Sequence, residues 1–206
     1  MNFPEVEDWV RPNLPPAPAR IVEVGAGAGE LARSLRASGY DVTAIDPKSE
    51  TSDVLPVALV DLPPPAYVYD AAVAVVSLHH VEPLEASIAK LAEVLADGAP
   101  LLVDEFDAAA LDDRAAAWWL AQRRARGGDD LETPAELGPK MRTRVHSIEL
   151  LVSVLSRWFD VGLFERGTYL YRWHLDESLR AEEEDLVARG ELPRTGVRFI
   201  ARRRAR

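Results

Sequence analysis

The sequence of 206 residues contains no cysteine. Disulfide bonds, zinc sites built on thiolates and catalysis by a cysteine nucleophile are therefore excluded, and we expect no bound metal.

The chain also lacks an excess of positive charge. Its 34 acidic residues outnumber its 24 lysines and arginines, which gives a formal net charge of -10. Such a chain repels a phosphate backbone, so we expect neither a nucleic-acid partner nor binding to an anionic membrane. The basic residues at 202–206 are the exception, and they form either a solvated tail beyond the last strand or a contact for an acidic partner.

Long apolar runs are also missing. No segment is long enough to cross a bilayer, and the first residues lack the basic and apolar regions of a secretory signal. We therefore expect a cytoplasmic protein, either a monomer or a homodimer.

The most informative segment that is present spans residues 21–32. An apolar, β-branched run leads into Gly25, Gly27 and Gly29, and Asp46 follows the first glycine by roughly twenty residues. This is the interval of a nucleotide-binding strand, loop, helix and strand. We expect main-chain amides of the glycine loop to approach a ligand closely, and the acid to accept hydrogen bonds from ribose hydroxyls.

The glycine spacing distinguishes two cofactor classes. A dinucleotide site needs Gly or Ala at position 30, whereas the chain has Glu30 there and its third glycine one residue earlier. A nicotinamide-dependent reductase is further disfavoured because no Tyr-x-x-x-Lys pair is recognisable.

Apolar periodicity beyond the loop alternates between strand and helix, which indicates an α/β fold with a doubly wound parallel sheet. Predicted strands cover 20–24, 41–46, 56–60, 69–76, 100–105, 159–166 and 196–203. Predicted helices cover 28–38, 83–96, 112–126, 147–155 and 176–188.

We interpret residues 1–206 as a single domain. Residues 1–19 are proline-rich and read as an extended lead-in without folded structure, and residues 127–139 read as a polar loop. Residues 106–146 and 170–192 are interpreted as helical insertions that form a substrate lid.

The pattern E-x-G-x-G-x-G at residues 23–29 resembles that of class I S-adenosylmethionine-dependent methyltransferases. Residues 44–47, the Leu-His-His segment at 77–81 and the segment at 95–103 agree with the same family. The resemblance is close over residues 20–105 and looser beyond them. It implies a Rossmann-like, mainly parallel seven-stranded sheet with a C-terminal antiparallel strand, and methyl transfer from S-adenosylmethionine to a small-molecule acceptor with S-adenosylhomocysteine as the product.

The resemblance also implies roles for particular residues. Glu23 would orient the methionine amino group, the loop would pass beneath methionine and ribose, and Asp46 would bind the ribose hydroxyls. The segment after the fourth predicted strand would face the methionine end. The implied cofactor-binding set is Glu23, Gly25, Ala26, Gly27, Asp46, Pro47, Asp61, Leu62, Ser77 and Leu78.

One position departs from the family pattern. Many relatives carry an acid that meets the adenine amino group, and here that place holds Ala58. Backbone groups at 59–62 or the side chain of Asp61 are alternatives, and Asp61 reads equally well as a plain turn residue before Pro63.

Three side chains are candidates for catalysis by proton transfer. His79 and His80 lie where the fourth predicted strand ends, and Glu105 lies at the end of the fifth. The alternatives are packing or helix-start capping for the histidines and a salt-bridged rim position for Glu105. Because such groups suit removal of a hydroxyl proton, O-methylation is favoured.

Further side chains are candidates for substrate contact, because rigid aromatic walls exclude water. They are Trp118, His146, Tyr169 and Tyr171. Trp118 and its neighbour Trp119 cannot both face one pocket, and His146 also reads as a plain loop residue before a helix cap. The competing functional hypothesis is a module that binds S-adenosylmethionine or S-adenosylhomocysteine without catalysis, or a non-methylating enzyme of the same fold.

Overall fold

The computed structural model describes residues 4–205, and its backbone builds a seven-stranded sheet. The strands are β1 (Arg20–Val24), β2 (Asp41–Ile45), β3 (Ala71–Val75), β4 (Pro100–Phe106), β5 (Phe159–Val161), β6 (Glu165–Gly167) and β7 (Gly196–Arg203). Their order is β2-β1-β3-β4-β7-β5, and β6 also pairs with β7. Neighbours from β2 to β4 are parallel, whereas β7 runs antiparallel to β5 and β6. The predicted α/β class and seven-stranded sheet with an antiparallel C-terminal strand are confirmed.

Seven helices accompany the strands over the described range. They are α1 (Pro4–Asn13), α2 (Glu30–Ala37), α3 (Leu84–Val94), α4 (Asp113–Ala125), α5 (Pro134–Arg142), α6 (Ile148–Leu155) and α7 (Arg180–Ala188). The middle of β3 and all of β4 are buried, as expected for strands covered on both faces. None of the helices within residues 4–205 is long and apolar enough to span a membrane.

The described residues form two units. The first contains residues 4–104, 149–163 and 199–205, and the second contains residues 105–148 and 164–198. A core of the first unit surrounds α2, where Leu31 and Leu35 pack with residues of α1 and β1.

The structure corrects the interpretation of residues 1–19 as an unfolded lead-in. Residues 4–13 form α1, and Val6 and Val10, one turn apart, are buried in the core around α2. Arg11 also donates hydrogen bonds to Ser34. Proline suits the first position of α1, because the N–H group at that position would have no acceptor within the helix. Residues 1–3 lie outside the described part of the chain.

The predicted strand at 56–60 is wrong. Leu55 alone bridges to Ile45, and residues Leu59–Asp61 form a 3-10 turn. Pro56 lacks the N–H group that a strand ladder requires, so pairing stops there.

Two further predictions need correction in the second half of the chain. The polar loop at 127–139 contains the start of α5, which begins at Pro134 with a capping box formed by Thr133 and Glu136. The strand predicted at 159–166 is two strands, β5 and β6, and Gly162 lies between them, where a Cβ atom would come within 2.8 Å of the Ile200 carbonyl oxygen.

The basic C-terminal segment starts within β7, so only residues 204 and 205 of its described length lie beyond the last strand. Arg203 belongs to β7 and is buried, and its Nε donates to the Ala92 carbonyl at 2.6 Å. Arg204 forms an ion pair with Asp160 at 2.7 Å. Residue 206 lies outside the described part.

Candidate functional site

The glycine loop joins β1 to α2, and its first amides bind to protein acceptors. The N–H groups of Gly25 and Ala26 both donate to the Ile45 carbonyl, at 2.8 and 3.0 Å. The N–H of Gly27 donates to Oδ2 of Asp46 at 2.9 Å. These three amides therefore fix the loop against the end of β2. The expected close approach of the loop's main chain to a ligand stays a prediction.

Gly25 is required because the end of β1 lies against the segment after β3. A Cβ atom at Gly25 would lie 2.3 Å from Cβ of Ser77, and Gly25 has a φ of 72°. The Ser77 hydroxyl donates to the Val24 carbonyl at 2.7 Å and so holds the two segments together. Val76, just before Ser77, has a φ of 51°, an unfavourable conformation for a β-branched residue.

Asp46 directly follows β2, and both of its carboxylate oxygens accept main-chain hydrogen bonds. Oδ2 accepts from Gly27, and Oδ1 accepts from the N–H of Lys48 at 2.8 Å. An ionised carboxylate has about four acceptor sites, so about two remain for a ligand. Fixed in this way, Asp46 is a preorganised acceptor for a pair of hydroxyl groups.

These elements surround a pocket of about 510 Å³ in the first unit. Its volume is in the range of small-molecule sites. The pocket is lined by Val24, Gly25, Ile45, Asp46, Pro47, Lys48, Val57, Ala58, Leu59, Val76, Ser77, His80, Val81 and Glu82.

Five residues that the sequence analysis selected are in this lining: Gly25, Asp46, Pro47, Ser77 and His80. The lining also contains Lys48, Val76 and Glu82, which were not predicted. Lys48 and Val76 lie within three positions of a strand's carboxyl end, and that position was the signal that could have identified them.

Glu23, the acid of the glycine motif, lies on β1 outside the lining. It is buried, its Oε2 has no hydrogen-bond partner among the described residues, and its carboxyl accepts from the N–H of Ala32 in the first turn of α2. Burial raises the pKa of Glu23 to about 8, against the opposing effects of Arg36 and of the Ala32 bond. Its expected contact with a methionine amino group stays a prediction.

Other members of the predicted cofactor set also lie outside the lining. Leu62 and Leu78 are buried, and Asp61 is exposed in the 3-10 turn Leu59–Asp61. Ala26 and Gly27 belong to the loop itself.

The two adjacent histidines differ in their surroundings. His80 lines the pocket and is exposed, whereas His79 is buried. Both lie in the 3-10 turn Leu78–His80, and their ring centroids are 4.1 Å apart. Of the two, His80 is therefore the one placed to meet a ligand in this pocket.

The remaining candidates belong to the second unit. Glu105 is fully buried on β4. Tyr169 stacks on Phe106 with ring centroids 4.9 Å apart, and Tyr171 is also buried. The indole N–H of Trp118 donates to Glu182 at 2.9 Å. His146 is half-buried just before α6. The catalytic role of Glu105 and the substrate roles of the other four side chains stay predictions.

Sequence reasoning missed a buried carboxylate in the second unit. Glu183 on α7 is fully buried and accepts hydrogen bonds at 2.8 to 3.0 Å from the N–H groups of Tyr169, Leu170 and Tyr171. Burial raises its pKa despite these three bonds. The acidic run at 182–185 concealed it, because such a run reads as a solvated face.

The first-unit pocket fits an adenosyl group. Asp46 supplies acceptors for ribose hydroxyls, and a Cβ placed on Gly27 would meet nothing within 4 Å, so the loop leaves open space. Apolar side chains at 57–59 offer a surface for a purine ring. Within residues 4–205, no three His, Asp or Glu side chains converge as a metal-binding group.

Comparison with solved structures shows what this fold resembles. An S-adenosylmethionine-dependent methyltransferase from Mesorhizobium loti has a TM-score of 0.61 at 16% identity, over 95% of this chain and 96% of that one. An S-adenosylmethionine-dependent methyltransferase from Methanosarcina mazei has a TM-score of 0.60 at 18% identity, over 100% of this chain and 99% of that one. The [4+2]-cyclase SpnF has a TM-score of 0.61 at 17% identity, over 98% and 82%. Because these sequence identities are low, the structural similarity establishes the fold alone.

Sequence relatives narrow the assignment. The uncharacterized methyltransferases Rv3342 of Mycobacterium tuberculosis and Mb3374 of Mycobacterium bovis are each 36% identical over 108 residues, 48% of this chain and 43% of the relative. The chain thus spans less than half the length of these curated relatives. A sequence profile of the family described as methyltransferase domain matches residues 2–138, well over half of the chain. The chain therefore belongs to the methyltransferase domain family and has the fold of its class I, S-adenosylmethionine-dependent members.

Proposed function

We propose that this chain transfers the methyl group of S-adenosylmethionine to a hydroxyl group of a small molecule. The observation that carries the proposal is one pocket lined both by Asp46, with acceptor sites remaining, and by His80, which can accept a proton. The chain's net charge of -10 supports a small acceptor over a nucleic acid, because phosphates would be repelled.

The residues at the loop end of the pocket hold and orient the donor. Asp46 accepts hydrogen bonds from the ribose hydroxyls, and its own orientation is set by the amides of Gly27 and Lys48. S-adenosylmethionine, when bound, supplies an electrophilic methyl carbon on a sulfonium sulfur. Holding the acceptor oxygen in line with that carbon is the main task of the protein.

His80 serves as the general base. The acceptor oxygen loses its proton as it gains the methyl group, and the imidazole takes that proton. Glu82 lines the same pocket. Removing such a base typically costs a factor of about 10² to 10⁴ in rate.

The test is methyl transfer from S-adenosylmethionine labelled in its methyl group to a panel of hydroxyl compounds, amines and peptides. We expect label on oxygen of a small hydroxyl compound. In His80→Asn, kcat should fall about a hundredfold or more while binding of S-adenosylhomocysteine stays close to wild type. His174→Asn is the matched control for binding of S-adenosylhomocysteine, since His174 is exposed, does not line the pocket and has a φ of 53°, which asparagine tolerates.

Two outcomes would contradict this proposal in different ways. Label found only on amines or peptides would overturn the hydroxyl acceptor. Tight binding of S-adenosylhomocysteine without transfer to any acceptor would favour a protein that binds the cofactor without methylating.

A further inference from the structure

The polar side chains of the pocket are unevenly distributed. Asp46 and Lys48 follow β2, and Ser77, His80 and Glu82 follow β3. The third lining segment, residues 57–59, consists of Val57, Ala58 and Leu59, so it has no polar side-chain atom. The side chains of this wall of the pocket are therefore all apolar.

Three of the six backbone N–H and C=O groups of residues 57–59 form local hydrogen bonds. The Ala58 carbonyl accepts from the N–H of Asp61 at 3.0 Å, and the Leu59 carbonyl accepts from the N–H of Leu62 at 3.2 Å. The N–H of Val57 donates to the Leu55 carbonyl at 2.9 Å. The Asp61 carboxylate is exposed and lies outside the lining. The wall itself thus offers no carboxylate to a ligand amino group.

This wall adjoins the ribose acceptor. The N–H of Asp46 donates to the Leu55 carbonyl at 3.0 Å, so residues 55–59 continue directly from the contact that holds Asp46. With the ribose hydroxyls on Asp46, the flat and least polar part of the nucleoside takes the least polar wall.

We propose, resting on the function proposed above, that residues 57–59 bind the purine ring of the cofactor by shape and apolar contact, without reading its 6-amino group. Ala58 is the residue that sets this specificity. The chain therefore accepts cofactor analogues that lack or alter the 6-amino group.

The probe is the analogue of S-adenosylhomocysteine in which hydrogen replaces the 6-amino group. It keeps the ring nitrogens that a backbone N–H could contact and loses only the amino donor. For the wild-type chain, calorimetry should give dissociation constants for the two compounds within about threefold of each other, since no charge-assisted hydrogen bond is lost. A tenfold or greater preference for the amino compound would overturn the inference.

A gain of discrimination tests the position of Ala58. Ala58→Asp places a carboxylate at the wall, and it should raise the preference for the amino compound to about tenfold or more. Ala66→Asp is the matched control, because Ala66 is exposed outside the lining and the change adds the same charge. Ala58→Val should leave the ratio near one, since it changes only the shape of the wall. An Ala58→Asp ratio equal to that of Ala66→Asp would contradict the placement of the base.

The same titrations distinguish failure of the proposed function from failure of the specificity inference alone. If neither compound binds the wild-type chain, the proposed function fails and this inference fails with it. If both bind and the amino compound is strongly preferred, the proposed function survives and the specificity inference alone is overturned.

Discussion

At the scale of single residues, the site depends on a position without a side chain. Gly25 lets the end of β1 approach Ser77, and the contact leaves no room for a Cβ atom. The sequence motif predicted that a glycine belongs there. It did not predict that Ser77 is the residue that excludes a Cβ atom. Ser77 lies 52 positions away in the chain and is brought close only by the pairing of β1 with β3.

Gly25→Ala should therefore lower the free energy of unfolding by more than the cost of placing alanine in a left-handed backbone conformation. The Cβ would overlap Ser77 at 2.3 Å, and the φ of 72° adds strain, so we expect a loss of about 3 kcal/mol in the free energy of unfolding. Gly190→Ala is the control, because Gly190 has a φ of 73° and a Cβ there would meet nothing within 4 Å. Urea denaturation of both variants checks the prediction, and equal losses would contradict the steric account.

Glu23 should make stability depend on pH. Its folded pKa of about 8 lies above its ordinary value of 4.5, so the folded state holds a proton that the unfolded state releases. The resulting stability is full below pH 4.5 and is lost as the pH rises through about 8, by up to roughly 5 kcal/mol.

Glu23→Gln should remove that dependence. The free energy of unfolding of the variant, measured by urea denaturation between pH 5 and pH 8.5, should fall less steeply with pH than that of the wild type. Parallel curves for the two proteins would show that Glu23 does not hold the proton.

At the scale of elements, one carboxylate fixes a turn to a helix. Glu183 on α7 accepts three main-chain N–H groups from the segment at Tyr169–Tyr171, and a buried N–H group without an acceptor is costly. The turn is therefore held by α7 as well as by its own hydrogen bonds.

Glu183→Gln should cost about 2 kcal/mol, because one carboxylate oxygen is replaced by an NH₂ group that faces an N–H donor. Glu184→Gln is the neighbouring control. Its carboxylate pairs with Arg180 on the exposed surface at 2.8 Å, so we expect a change of at most about 0.5 kcal/mol. Similar midpoints of chemical unfolding for the two variants would refute a structural role for the Glu183 carboxylate.

Elements were predictable where a periodic pattern and a capping signal agreed. The parallel strands β1 to β4 and the helices α2 and α3 follow from alternating apolar runs with Gly39 and Gly98 after the helices. Helix α1 was missed because its prolines outweighed the spacing of Val6 and Val10. Helix α5 was missed because its capping box lies in a polar stretch.

At the scale of the whole molecule, the sequence predicted the family and the presence of Asp46 in the pocket. It was less informative about the chemistry of the methyl acceptor. Asp46 and Gly25 could be selected because strand ends meet at one edge of a parallel sheet. Glu82 required the three-dimensional course of the chain after β3. The candidate substrate residues are in the second unit, where packing of Tyr169 on Phe106 has no periodic signal in the sequence.

The central claim is that the first-unit pocket binds an adenosyl thioether through Asp46. The measurement is calorimetric titration of the wild-type chain with S-adenosylhomocysteine and with NADH, repeated on Asp46→Ala and on Asp41→Ala, a control at the opposite end of the same strand. The account predicts one S-adenosylhomocysteine per chain, no binding of NADH, and a loss of about tenfold or more in affinity for Asp46→Ala alone. Binding of NADH, or an Asp46→Ala variant that binds S-adenosylhomocysteine as the wild type does, would contradict it.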